Sequence, residues 1–238
     1  MPQIEWKKEN MRYMLCALPL VGVVIGAFLC LWAWIAQKLR LGAFLYAAGL
    51  TLLPVILSGG IHVDGFLDTA DALSSHAAPE KKREILKDSH TGAFAVIFAV
   101  CYFLLYAALC SETEPGVRAA VILGLTHVFA RAVGALASTA FPGSGSKGLL
   151  STFRDAAVKR ASAVLIVWLV LCGAALVWLA PIGGSAAVVL ALMCLLYLYF
   201  MSRREFGGMS GDLAGFCITL AELMMLLGYI FAERVAAL

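Results

Sequence analysis

Asp64, Asp68 and Asp71 stand at i, i+4 and i+7 within residues 59–73, G-G-I-H-V-D-G-F-L-D-T-A-D-A-L, a run that holds no lysine or arginine. If the run is helical, that spacing sets all three carboxylates on one stripe. Neighbours on it lie about 5–6 Å apart at Cβ, and the first and last are separated by about 10.5 Å of rise. Two carboxylates about 4 Å apart repel by about 4 kcal/mol at an effective dielectric near 20, and a divalent cation bound by Asp64, Asp68 and Asp71 is the simplest relief. Oxygen-only ligands favour Mg²⁺ or Mn²⁺ over zinc. A merely solvated helix end would mix both signs of charge, and this one does not. Zinc through His62 is a weaker alternative. In a helix His62 points away from the aspartate stripe, and no second His or Cys stands at ligand spacing.

Five other places could do chemistry. Asp88, Ser89 and His90 precede Gly92; they read equally as helix caps or as site residues. Gly211-Asp212, approached by Gly207-Gly208-Met209-Ser210, could answer a helix dipole or let a ligand meet backbone amides. Arg131 sits inside an apolar segment, where such a residue faces a bundle interior and pairs with an acid or an anion. Residues 143–148, G-S-G-S-K-G, lack the Gly-Lys-Ser/Thr spacing of a P-loop, but Lys147 in a flexible loop could neutralise phosphate. Lys81, Lys82, Arg83 and Lys87 form either a solvated basic face near anionic lipid or a patch that steers a polyphosphate toward the aspartates.

These residues have to be positioned by a membrane-embedded scaffold. Of the 238 residues 62% are hydrophobic and 14% charged, against about 25% charged in soluble domains, and the mean hydropathy is +0.92. Apolar runs of bilayer-spanning length recur throughout. The fold expected is all-α: a single integral-membrane domain over residues 1–238, a polytopic helical bundle of about seven spans. They fall at 13–36, 41–58, 92–110, 117–140, 161–180, 185–201 and 213–232, with a short cytoplasmic helix from Pro79 after the second. Residues 141–152 read as a glycine- and serine-rich loop. The cysteines, Cys16, Cys30, Cys101, Cys110, Cys172, Cys194 and Cys217, form no C-x-x-C pair and read as buried hydrophobes. A net charge of +3 gives no reason to expect nucleic acid. Its distribution is more telling. The side holding the N-terminus and the loops after spans two, four and six carries thirteen Lys and Arg, among them Lys7, Lys8, Arg12 and Lys159, against four on the other. The positive-inside rule assigns the thirteen, and the polar residues with them, to the cytoplasm.

The motifs resemble those of the cobalamin synthase family, the adenosylcobinamide-GDP ribazoletransferases. The run from Gly59 is similar to that family's G-G-x-H-x-D-G-x-x-D-T-x-D; K-R-E-I-L-K-D-S-H-T-G-A-F is similar to its basic D-S-x-x-G-A-F segment; and G-D-L-A-G-F stands near the last span. The order is the family's and the likeness covers nearly the whole chain. It departs at His90-Thr91, at Phe94-Ala95 and at Leu213-Ala214, and none of these removes an acid. The resemblance implies a Mg²⁺-dependent transferase of the inner cell membrane. It would join adenosylcobinamide-GDP to α-ribazole or its 5′-phosphate with release of GMP, giving adenosylcobalamin or its 5′-phosphate. Phosphoryl-group chemistry of this kind is mostly positioning and charge neutralisation. On that reading Asp64, Asp68 and Asp71 hold the metal, Asp88 and Asp212 complete the shell or orient the nucleophile, and His62 is a candidate general base. Lys82, Arg83, Lys87, Arg131, Lys147, Gly211 and Asp212 are candidate substrate contacts. The partners expected are the two substrates and the lipid bilayer, with a homo-oligomer left open. Two alternatives are a CDP-alcohol-phosphotransferase-like enzyme, whose arginine after D-G is missing here, and a cation transporter, which needs acids at mid-span.

Overall fold

The computed structural model describes residues 13–88, 90–144, 149–157 and 160–238. Lys7, Lys8, Arg12, Ser89, Lys147 and Lys159 lie outside the described residues. Among those described the chain is helical, and its only extended pairing is an isolated bridge between Gly143 and Met209. The helices are α1 (Met14–Leu39), α2 (Ala43–Ser58), α3 (Ile61–Ser74), α4 (Pro79–Ile85), α5 (Ala93–Ser111), α6 (Val117–Ala140), α7 (Leu149–Ala156), α8 (Ala161–Leu179), α9 (Pro181–Phe206) and α10 (Gly211–Ala236).

Six of them, α1, α5, α6, α8, α9 and α10, are each long and apolar enough to cross a bilayer, so the chain is a multi-pass helical membrane protein. The expected seven spans become six plus a bent pair. α2 has 16 residues, about 24 Å, short of the roughly 30 Å hydrocarbon core, and it meets α3 at a 95° bend. The bend is made by Gly59 and Gly60, with φ of 67° and 74°. Two successive left-handed residues stop a right-handed helix, and glycine adopts them without a Cβ clash. Two other boundaries differ from expectation. The sixth span extends to Pro181–Phe206, because Pro181 is tolerated in a first helical turn and Gly207, with φ 71°, ends the last one. α7 forms where loop was expected through Thr152, since the glycines stop at Gly148 and L-L-S-T-F-R-D-A can continue as helix.

α6 and α10 are the central pair: 78% and 72% of their apolar windows are buried, against at most 33% in the other spans. The others therefore turn most of their apolar surface to lipid. α1 reaches α6 through small residues, a Cβ on Gly26 having only 3.0 Å to the Gly124 Cα; close backbone approach of this kind drives helix association where lipid is as apolar as leucine. α3 is wedged over the start of α10. Phe66 stacks on Phe216 of α10 at 5.5 Å between centroids and touches Tyr102 of α5 at 5.4 Å.

Candidate active site

The aspartates of α3 are brought beside Asp212 by a contact between backbones. A Cβ on Gly65 would lie 2.7 Å from the Asp212 carbonyl oxygen, and one on Gly215 would lie 3.0 Å from the His62 carbonyl oxygen. α3 thus crosses the first turn of α10 with no side chain between them, and only glycine at both positions permits it. Ser210 caps α10 by accepting from the Leu213 N–H at 3.3 Å, and its hydroxyl donates to Asp212 Oδ2 at 3.5 Å. The opposing loop is fastened there too: the Met209 N–H donates to the Pro142 carbonyl at 2.8 Å, and the Ser144 N–H to the Met209 carbonyl at 3.1 Å. The described start of the glycine- and serine-rich loop therefore lies against the approach to Asp212.

Asp64 is exposed, and Asp68, Asp71 and Asp212 are half-buried. Asp68 feels three like charges, from Asp64, Asp212 and Asp71, while burial strips away screening water; no basic group among the described residues acts on it comparably. Four acids with no counter-charge among the described residues fit a divalent cation. Among the described residues, no three Asp, Glu, His or Cys side chains close on one point by themselves. That is compatible with Mg²⁺, which keeps several waters and takes substrate phosphates in place of a full protein shell. Asp71 has a second task. Its Oδ1 accepts from the Ala95 N–H at 3.3 Å, and a Cβ on Gly92 would overlap its carboxylate. It caps α5 across 24 residues of sequence, one of the two roles that the local cluster at Asp88 offered.

Asp88 instead closes its own turn, accepting from the His90 N–H at 3.0 Å and lying 2.6 Å from His90 Nδ1. That ring holds the Asp88 carboxyl below the usual carboxylate range, so it stays ionised at the surface. Of the basic residues, Lys82 is buried and paired with Glu205 Oε2 of α9 at 2.5 Å. Arg83 donates to the Phe206 carbonyl at 3.2 Å and to Glu80 at 3.1 Å. These two tie α4 to the end of α9, so the reading of Lys82 as a steering charge gives way to a clamp, since its charge is already matched. Lys87 is exposed, and Gly211 is exposed with open space beside it.

His62 and Arg131 belong to a different place. Arg131, 1% exposed, donates from Nη1 to Glu222 Oε1 at 2.5 Å and to the His127 carbonyl at 3.1 Å. His127 Nδ1 lies 2.8 Å from the same Glu222 oxygen, and Tyr106 Oη lies 3.3 Å from His127 Nε2. The pattern assigns the Nδ1–H tautomer, with Nε2 accepting from the tyrosine. Arg131 has thus found its acid inside the bundle and is not presented to a substrate phosphate. His62 lines a cavity bounded by these residues, its Nδ1 buried without a hydrogen-bond partner among the described residues, away from the aspartates as its helical position requires. Sequence reasoning missed His127 and Glu222. The signal was present in part: His127 and Arg131 are four apart on one helix, and Glu222 is the one acid in the apolar middle of α10, between Asp212 and Glu233 near its ends.

The chain matches, over residues 1–230, the profile of the family described as CobS, cobalamin-5-phosphate synthase. It is similar to the adenosylcobinamide-GDP ribazoletransferase of Lachnoclostridium phytofermentans, 40% identical over 98% of this chain and 89% of that protein. Proteins with the same name from Clostridium perfringens (30% identical, 96% and 92% covered) and Desulfitobacterium hafniense (34%, 88% and 83%) are similar as well. No solved structure matches.

Proposed function

The chain belongs to the cobalamin-5-phosphate synthase family, and from that premise we propose how its residues carry the reaction. It is an adenosylcobinamide-GDP ribazoletransferase, acting at the last stage of nucleotide-loop assembly. A hydroxyl of α-ribazole, or of its 5′-phosphate, attacks the phosphorus borne by the cobinamide side chain. A new P–O bond forms, the bridging P–O bond breaks, GMP leaves with the bridging oxygen, and the hydroxyl proton is lost. The observation that carries the site assignment is an acid face left unneutralised among the described residues, Asp64, Asp68 and Asp212 around the Gly65 crossing, with Asp71 behind it.

Asp64, Asp68 and Asp212 would hold Mg²⁺, which supplies counter-charge to the diphosphate when bound. Asp71 is shared between that face and the start of α5, and so couples the acids to the rest of the bundle. The Gly207–Asp212 turn and the Pro142–Ser144 segment border the face, where small residues let a substrate phosphate approach main-chain amides. Exposed Lys87 adds positive charge to the approach. With the bent α2–α3 pair counted as one crossing, the site faces the cytoplasm of the inner cell membrane, on the side that then bears thirteen of the Lys and Arg residues.

The test is GMP release from adenosylcobinamide-GDP and α-ribazole by purified protein across a Mg²⁺ titration. Asp68→Asn should leave the fold intact, since it removes one of several repelling charges. It should lower turnover by about 10²–10³, the scale of one electrostatic group at a reacting centre. Well-folded Asp68→Asn protein with near-normal turnover and an unchanged Mg²⁺ requirement would sink the assignment.

A further inference from the structure

On the side of α3 opposite the aspartates lies a cavity of about 10 Å³, walled by α2, α3, α5, α6 and α10. Three polar atoms of residues that line it, His62 Nδ1, Arg131 Nε and Thr219 Oγ1, are wholly buried and have no hydrogen-bond partner among the described residues. Arg131 and Thr219 are 1% and 0% exposed. A buried water needs about 10–15 Å³ and two to four polar partners; this cavity offers the room and the partners together. An orphaned buried polar atom is costly, and one water bonded to all three would relieve them together.

We propose that this cavity binds one ordered water, which links His62 to Arg131 and Thr219 and so fixes the pitch of α3 beneath the acid face. Its oxygen accepts from the Arg131 Nε–H, and its two hydrogens go to His62 Nδ1 and Thr219 Oγ1. The need for such a tie follows from the hinge. α3 is anchored at its middle by the Gly65–Asp212 and Gly215–His62 backbone contacts, and at its far end by Asp71 on α5. Its near end follows Gly59-Gly60, which resist rotation least of all residues, and His62 in the first turn of α3 is the side chain that reaches inward from there. The Arg131–Glu222–His127 network is itself fixed by pairing, so it is a rigid post to which the water moors α3. His62, Arg131 and Thr219 are then positioning residues for the aspartates. This inference rests on the assignment of the acid face as the reacting site.

Two measurements test it. A high-resolution structure of the protein in lipid nanodiscs should show a density peak within hydrogen-bonding distance of all three atoms. A dry cavity, or His62 Nδ1 satisfied by a protein group, overturns the proposal. In parallel, Thr219→Val removes one partner without changing shape. It should lower kcat for GMP release by about ten- to a hundredfold, the cost of misplacing a reacting group by an ångström or less, with KM for adenosylcobinamide-GDP little changed. Thr219→Ser should restore kcat, which a purely packing role would not predict. Full kcat in folded Thr219→Val protein overturns the proposal; Thr219→Ala, which crowds nothing, serves if the valine variant does not fold. Asp68→Asn separates the two ideas: a silent Thr219→Val beside a dead Asp68→Asn leaves the acid face standing and removes only the water link.

Discussion

α3 divides two groups of charges that obey opposite rules. On one side Asp64, Asp68 and Asp212 share a single sign, are half-buried or exposed, and have no cation near them among the described residues. On the other, Arg131 and Glu222 are opposite in sign, the His127 Nδ1–H shares the same carboxylate oxygen, and all three are almost wholly buried and pair at 2.5–2.8 Å. The buried set has no counter-ion left to seek, so its contribution is to architecture. The acid face is left incomplete by the fold, and what completes it is substrate and ion. Charges matched inside the chain hold the helices; charges left unmatched at its edge are free for chemistry.

The largest effect should come from unbalancing the matched set. Glu222→Leu leaves Arg131 buried without its acid, and breaking a buried pair from one side costs about 3–5 kcal/mol. Thermal melting in detergent should show the loss. The double change Glu222→Leu with Arg131→Met should recover most of it, because an apolar pair of similar volume incurs no desolvation cost. If the double variant melts as low as the single one, the network does more than neutralise itself.

Asp71 straddles the two rules, and its variants sharpen the contrast. Asp71→Ala removes the acceptor for the Ala95 N–H and should lower stability by about 0.5–2 kcal/mol, the usual worth of a helix cap. Asp71→Asn keeps an acceptor oxygen and should restore stability while still lacking the charge. GMP release should fall less in Asp71→Asn than in Asp68→Asn, because the Asp71 carboxylate is already engaged at α5. Equal losses in the two would assign Asp71 wholly to the acid face.

The smallest effects separate two neighbouring lysines. Lys82→Ala breaks the tie to Glu205; because Glu205 is still 28% exposed, screening should hold the loss to about 1 kcal/mol, seen in melting with KM little changed. Lys87→Ala should do the reverse, raising KM for the diphosphate substrate without moving the melting temperature. That rise should fade as salt is added, since charges interacting across solvent are screened beyond about 10 Å at 0.1 M. A salt-sensitive KM in Lys82→Ala would return it to the approach path.

What the residues determined by themselves was everything that depends on local periodicity. The 3.6-residue repeat put Asp64, Asp68 and Asp71 on one stripe and His62 off it, whatever the rest of the chain did. Apolar run length gave the multi-pass bundle, and Pro79 marked the start of the short α4. Gly59-Gly60 stands in the sequence as a pair, but only the structure shows that it breaks a helix and turns α3 through 95°. The partners were another matter. Glu222 lies 91 residues from Arg131, Glu205 lies 123 from Lys82, and Ala95 lies 24 from Asp71. Charge and hydrogen-bond pairing at such separations depends on which helix faces which, and helical periodicity carries no information about neighbours. The glycines at 65 and 215 show the same limit from the other side. Each reads in the sequence as a small residue in a helix, and only the crossing of α3 over α10 makes both of them necessary, because there two backbones meet with no room for a Cβ between them.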